Sequence, residues 1–204
     1  VGEGASQMKY QLKKGKNIWY SFKMELGEDL GAKYYDSELR EVDPFRIKNP
    51  VDAARVFFAY LKYLIIKYCT ENNISTDILY AVSIPASFEA NQRKDLLDAL
   101  MANDMKVSKQ ALIDEPNAAF ISYAVSRATE DRPMFINPDY NSKVLVFDFG
   151  GGTCDISILE IGQNANGFFS KNIAISKFTK LGGDDIDRYI TCLLYTSPSP
   201  RDRT

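Results

Sequence analysis

Histidine is absent from the 204 residues, and cysteine occurs only three times, at Cys69, Cys154 and Cys192. Without His and without a CxxC pair, a structural or catalytic zinc site is not expected. Cysteines this far apart also give no disulfide framework, and they fit a reduced, cytoplasmic setting. No apolar run approaches the roughly 20 residues that span a bilayer, so no membrane partner is expected. Charge of one sign is equally scarce. The net charge of -2 gives no reason to expect nucleic acid or an anionic surface as partner. A GxxxxGK[ST] phosphate loop is missing. So are an initiator methionine and a signal peptide, and "VGEGASQMKY" begins as if inside a domain.

What is present is ordinary for a globular chain of one or two domains, at 45% hydrophobic and 25% charged residues. The segment "NIWYSFKMELG" (Asn17 to Gly27) reads as strand, helix or loop. From "KNPVDAARVFFAYLKYLIIKY" the pattern sharpens. Asn49 is a good N-cap, Pro50 suits the first helical position and Asp52 favours the positive end. Ala54, Phe57, Phe58, Leu61, Leu64, Ile65 and Tyr68 recur at three and four, which predicts a long amphipathic helix. "DILYAVSIPASF" predicts a strand ended by Pro85. "NQRKDLLDALMAND" predicts a helix with Leu96, Leu97, Leu100 and Met101 inward. "QALIDEP" reads as a short buried strand, and "PNAAFISYAVS" as a helix with Pro116 in its first turn. "ATEDRPMFINPDYNS" is a linker by composition. Three strands follow, around Lys143–Phe149, Thr153–Ile161 and Lys171–Phe178. "LGGDDIDRYI" then turns into a helix capped by Asp184 or Asp185. Helix and strand alternate first, which implies parallel strands with crossover helices, and a strand meander begins after a boundary near Pro138 to Ser142.

The stretch "VLVFDFGGGTCDISI", Val144 to Ile158, interrupts two good strands with Gly150, Gly151, Gly152 and Thr153. Glycine admits positive φ and close backbone approach. Successive N–H groups in such a turn can form a concave anion nest. Asp148 and Asp155 flank it. Carboxylates beside a phosphate cradle repel the ligand unless a cation lies between them, and Mg²⁺ held through waters resolves the conflict. A Gly-rich hairpin with solvent-facing aspartates would show the same pattern. A dinucleotide fingerprint is excluded, because the turn joins two strands rather than a strand and a helix.

"VFDFGGGTCDISIL" resembles the second phosphate-binding motif of the actin-like ATPases. "AVSIPASFEANQRKDL", "LIDEPNAAFISYAV" and "LGGDDIDRYI" follow the order and spacing of one branch, the seventy-kilodalton heat-shock chaperones of the DnaK type. The likeness runs from about Val51 to Thr191, and before that only "VGEGA" and "FKMELG" match. Shape-determining and plasmid-segregation actins share the GGGT turn and a later GGD but lack the "PASFEANQR" pattern, and sugar kinases fit less well.

The resemblance implies an incomplete α/β actin-like (ribonuclease H-like) fold. Residues 1–50 would be part of the small outer subdomain of lobe I, 51–140 its core, and 141–191 the start of lobe II. It implies ATP or ADP with Mg²⁺ as cofactors. In the parent protein, unfolded peptides, a J-domain co-chaperone and a nucleotide-exchange factor would be the partners. Gly150, Gly151, Gly152 and Thr153 would cradle the β- and γ-phosphates, and Asp148 and Asp155 would hold waters of the Mg²⁺ shell. Lys23 would face the γ-phosphate and the attacking water, though it reads equally as a solvated surface lysine. Glu115 would stand near that water and sense nucleotide state, or simply favour a helix start. Pro85 and Arg93 would relay from the cleft to the surface, and Gly182 and Gly183 would form the far wall near ribose and phosphates. Asn117 stands where the family often has Thr, and Cys154 where it has an apolar residue. The alternatives are a filament-forming actin-like ATPase or a chaperone-like regulator without a peptide site. The chain is expected to be a fragment open at both ends, with hydrolysis belonging to the parent.

The tail "CLLYTSPSPRD", Cys192 to Asp202, resembles a translated transposase-type sequencing adapter, so residues 192–204 are expected to be read-through without structural weight. Chains ending at Thr191 and at Thr204 should therefore unfold within about 1 kcal/mol of each other. Paired thermal melts check this, and a larger loss on trimming would assign the tail a structural role.

Overall fold

The computed structural model describes residues 1–30, 46–108, 111–129, 141–165, 167–177 and 179–196. Most of the compositional linker and the proposed boundary up to residue 140 lie outside these residues. The chain packs as two compact units, one of Val1–Ile84 with Phe88–Ile113, the other of Pro85–Ser87 with Asp114–Thr204.

In the first unit a short helix α1 (Glu3–Met8) and a 3-10 turn (Phe22–Glu25) precede helix α2 (Pro50–Glu71). The start of α2 follows from its cap. The Asn49 side chain accepts the Asp52 N–H at 2.8 Å, and Pro50 occupies the first turn. Ala53 and Ala54 are buried, and Trp19, Phe22 and Val56 pack on the cluster of Ile47 and Ala53. Phe22 meets Phe57 with ring centroids 5.8 Å apart. The apolar stripe does not stay buried to its end. Leu64 is 39% and Tyr68 61% exposed, because no described element covers that part of the helix.

Strand β1 (Val82–Ile84), helix α3 (Ala90–Met101) and strand β2 (Leu112–Asp114) come next, and the two strands are neighbours in a two-stranded sheet. Both are shorter than the apolar pattern suggests, and β2 is half-buried rather than buried. Glu89 and Gln92 close the start of α3, with the Glu89 N–H donating to Gln92 Oε1 at 2.9 Å. Ala99 and Leu100 are fully buried, Leu96 and Leu97 half-buried, and Met101 is 58% exposed, so Met101 is not inward. The helical period explains this. Position 101 continues the stripe one residue past its face, and Ala99 takes the inward place. Asn103 ties the end of α3 to α2, with its Nδ2 donating to Arg55 O at 2.9 Å and its O accepting from Lys62 Nζ at 2.6 Å.

In the second unit helix α4 (Glu115–Thr129) lies on an antiparallel meander of β3 (Ser142–Phe149), β4 (Cys154–Asn164) and β5 (Gly167–Ile175). Strand β5 starts before its expected position because the β4–β5 hairpin is tight, with Asn164 paired to Gly167. Phe120 of α4 is buried with Leu159 and Ile161, and Val144 and Val146 pack beside them. Polar bonds fix the same face. Ser170 Oγ donates to Asn117 Oδ1 at 3.0 Å, and Asn172 Nδ2 to Asp114 Oδ2 at 2.8 Å. On the opposite face Leu145, Phe147, Phe149 and Ile156 remain exposed.

Gly27 shows why "FKMELG" ends in glycine. Its φ is +79°, and an added Cβ would lie 2.7 Å from Gln92 Cγ. Its N–H donates to Asp95 Oδ2 at 2.8 Å, and its O accepts from Asn91 Nδ2 at 2.9 Å. Gly27→Ala should thus destabilise the chain by about 1–3 kcal/mol, through backbone strain and overpacking. Urea unfolding measures it, and wild-type stability would mean that α3 does not hold this residue.

Candidate functional site: a glycine turn between opposed carboxylates

Pairing of β3 with β4 sets Asp148 opposite Asp155 and Phe149 opposite Cys154. The loop between them is Gly150 to Thr153, closed by the Gly150 N–H on Thr153 O at 2.8 Å. The two carboxylates differ in surroundings. Asp155 is buried and accepts a hydrogen bond from Ser87 Oγ. Asp148 is exposed, and its carboxylate has no partner among the described residues. Like charges opposed on a ladder are unfavourable on their own.

Positive φ is not what the three glycines supply. The positive-φ glycines among the described residues are Gly2, Gly15 and Gly27. Close approach is the requirement. Helix α5 (Gly183–Thr196) begins against the turn, and a Cβ on Gly182 would lie 2.6 Å from backbone atoms of Gly151 and Gly152. The Gly183 N–H donates to Gly150 O at 3.0 Å and the Asp184 N–H to Gly151 O at 2.7 Å. Asp185 Oδ2 accepts the Gly182 N–H at 3.1 Å, so Asp185 caps α5 from inside its first turn.

These bonds orient the turn. A trans peptide is planar, so a carbonyl and the following N–H point in opposite directions. With both carbonyls held toward α5, the N–H groups of Gly151 and Gly152 face away from it. They find no acceptor among the described residues, nor does that of Thr153. A Cβ on Gly151 would meet nothing within 4 Å. The result is a pair of outward N–H donors at Gly151 and Gly152, with an aspartate on each strand beside the turn, a set suited to an anion accompanied by a cation.

Gly182 and Gly183, expected across the cleft, therefore lie directly against the glycine turn. Glu115 is the half-buried first residue of α4, just after β2, and Pro85 is fully buried, both in this unit. Lys23 and Arg93 belong to the other unit. Lys23 is exposed within the 3-10 turn, whose Glu25 pairs with Lys14 at 2.6 Å. Arg93 Nε donates to Phe88 O at 2.9 Å. Ser87 was not among the expected site residues, and its only signal was its place in "PASF", beside Pro85. Helix α5 continues past Thr191 across Cys192 to Thr196, where Leu193, Leu194 and Tyr195 are exposed.

The family model described as Hsp70 protein matches residues 48–198. A heat shock cognate HSP70 protein of Trypanosoma brucei brucei is 36% identical over 169 residues, which cover 82% of this chain and 22% of the relative. The chaperone protein dnaK of Cyanidioschyzon merolae is 39% identical, and the chaperone protein DnaK of Nitrosopumilus maritimus 37%. Each of these two aligns over 109 residues, covering 53% of this chain and 15% of the relative. The chain belongs to the Hsp70 family, and with it to the actin-like ATPase fold, of which it carries part. Family membership implies nucleotide binding and does not favour the filament reading. The chain spans less than a quarter of the length of these curated relatives.

Gly182→Ala should push the glycine turn away from α5 and cost about 1–3 kcal/mol, since backbone atoms cannot yield as a side chain can. Gly151→Ala, facing open space, should cost less than about 1 kcal/mol. Chemical denaturation of both variants tests the contrast, and equal stabilities would refute the close packing of α5 on the turn.

Proposed function

We propose that the chain is part of the nucleotide-binding domain of an Hsp70-type chaperone, binding ATP or ADP with Mg²⁺. The observation that supports this most directly is the donor surface of Gly151, Gly152 and Thr153 between Asp148 and Asp155. Its N–H groups suit phosphate oxygens, and Thr153 adds a hydroxyl. The donor set also fits the metal. Two hard carboxylates on one ladder are too few for a protein-only cage, and among the described residues no group of three or more metal-ligating side chains occurs. Mg²⁺ is typically bound in this way, through one or two carboxylates, waters and the substrate's own phosphates. When bound, the ion neutralises charge that develops on the transferred phosphoryl group.

The chain's residues then divide the work. The glycine turn holds the phosphates in place, and phosphoryl transfer to water depends mainly on such positioning and on charge stabilisation. Asp148 and Asp155 orient water around the cation. Lys23 stabilises the γ-phosphate, and Glu115, fixed at the junction of β2 and α4, orients the attacking water. Pro85 and Arg93 pass the nucleotide state to the surface. Gly182 and Gly183 back the turn and hold its backbone in place. In this reading residues 1–50 and 51–140 belong to lobe I and 141–191 to lobe II. In the parent protein, hydrolysis is coupled to binding of unfolded peptides, with a J-domain co-chaperone and a nucleotide-exchange factor as partners.

We place the protein in the cytoplasm. Cys69, Cys154 and Cys192 are free, in keeping with a reducing compartment. Among the described residues no helix is long and apolar enough to cross a membrane.

The test is calorimetric titration of the 204-residue chain with ADP, with and without Mg²⁺. Binding should strengthen with Mg²⁺. Asp148→Asn should remove most of that gain, and Gly151→Ala should weaken binding about tenfold or more (about 1.4 kcal/mol) at unchanged melting temperature. Steady-state ATP turnover by this chain alone should stay far below that of the full-length family. Absence of any nucleotide binding would overturn the reading.

A further inference from the structure

Ser87 lies between β1 and α3, outside every role assigned above, yet its hydroxyl donates to Oδ1 of Asp155. The two residues are 68 positions apart in sequence and belong to the same compact unit. Asp155 is 5% exposed, so its carboxylate has little water to replace a lost donor. A charge-assisted bond of this kind is stronger than a neutral one and fixes direction as well as distance. With Oδ1 held by Ser87, rotation of the carboxylate about its own axis is restricted, and Oδ2 is the oxygen left for another partner. Asp148, opposite on the ladder, has no comparable anchor among the described residues. The pair is thus asymmetric, with one carboxylate set by the protein and the other free to adjust.

We propose that Ser87 is a positioning residue for the divalent cation, acting through Asp155 to present a single carboxylate oxygen to the ion's water shell. This rests on the reading of Asp148 and Asp155 as a magnesium–water pair. Outer partners that orient a metal-binding group characteristically carry a ten- to hundredfold share of metal affinity. Fixing Asp155 supplies that orientation without a third carboxylate, which would add repulsion toward the phosphates. The hydroxyl is the essential group. Threonine keeps it at the same reach, whereas alanine removes it and leaves the rest of the backbone unchanged.

The experiment uses Mn²⁺ as probe and the 204-residue chain. Free Mn²⁺ is counted by electron paramagnetic resonance in the presence of ADP, and metal-free ADP affinity is measured separately by calorimetry. For Ser87→Ala the expected result is a tenfold or greater loss of Mn²⁺ affinity in the ternary complex, with metal-free ADP affinity within twofold of wild type. Ser87→Thr should restore Mn²⁺ affinity to within about threefold. A general folding defect would instead lower both affinities together, and that outcome would overturn the positioning role. Wild-type Mn²⁺ affinity in Ser87→Ala would also overturn it, while the nucleotide-binding reading would stand. A wild-type chain that binds ADP but shows no metal-dependent gain, or binds no ADP at all, would remove the magnesium-pair reading and this inference together.

Discussion

Two backbone hydrogen bonds decide which way the glycine turn faces. The first N–H groups of α5 take the carbonyls of Gly150 and Gly151, so planarity alone sends the intervening N–H groups to the other side. Everything proposed for the site depends on that orientation. Were the carbonyls outward, the same Gly150-Gly151-Gly152 sequence would present oxygen atoms to a phosphate and repel it. The bonds also explain why a second glycine pair is needed far along the chain. Gly182 approaches the turn so closely that any side chain would enter its backbone. One glycine cluster forms the turn and the other supplies the support behind it.

Charge is arranged with the same economy. Opposing Asp148 and Asp155 across β3 and β4 costs stability in an empty site, and the structure offsets only half of it. Asp155 is sheltered and bonded to Ser87, while Asp148 stays in solvent, where water screens it. Such unequal surroundings are in keeping with the cation site proposed above. Full neutralisation by the protein would leave nothing for the ion to do.

Elements with strong local signals were legible from residues alone. Asn49, Pro50 and Asp52 mark the start of α2 where it occurs. The GGGT hairpin joins the strands expected of it, with both aspartates in register. The exposed far end of α2, the outward Met101 and the early start of β5 were not legible, because periodicity gives a stripe but not what covers it. Within the site, the glycine turn and its flanking aspartates follow from spacing. The contact of Gly182 with the turn and the bond from Ser87 to Asp155 do not, since both join residues far apart in sequence, and a propensity argument carries no distance. Lys23 and Arg93 were assigned from motif likeness alone, and each is anchored within a unit separate from the hairpin.

The meander has a consequence for the order of assembly. Strands β3, β4 and β5 are consecutive and joined by short turns, so their pairing closes small loops, the kind of contact that forms early. The Ser87 bond closes a separation of 68 residues, and loop-closure entropy delays such contacts. On that ground the hairpin is expected to come together with its two carboxylates face to face before the hydroxyl arrives. During that interval only solvent and counterions would moderate their repulsion.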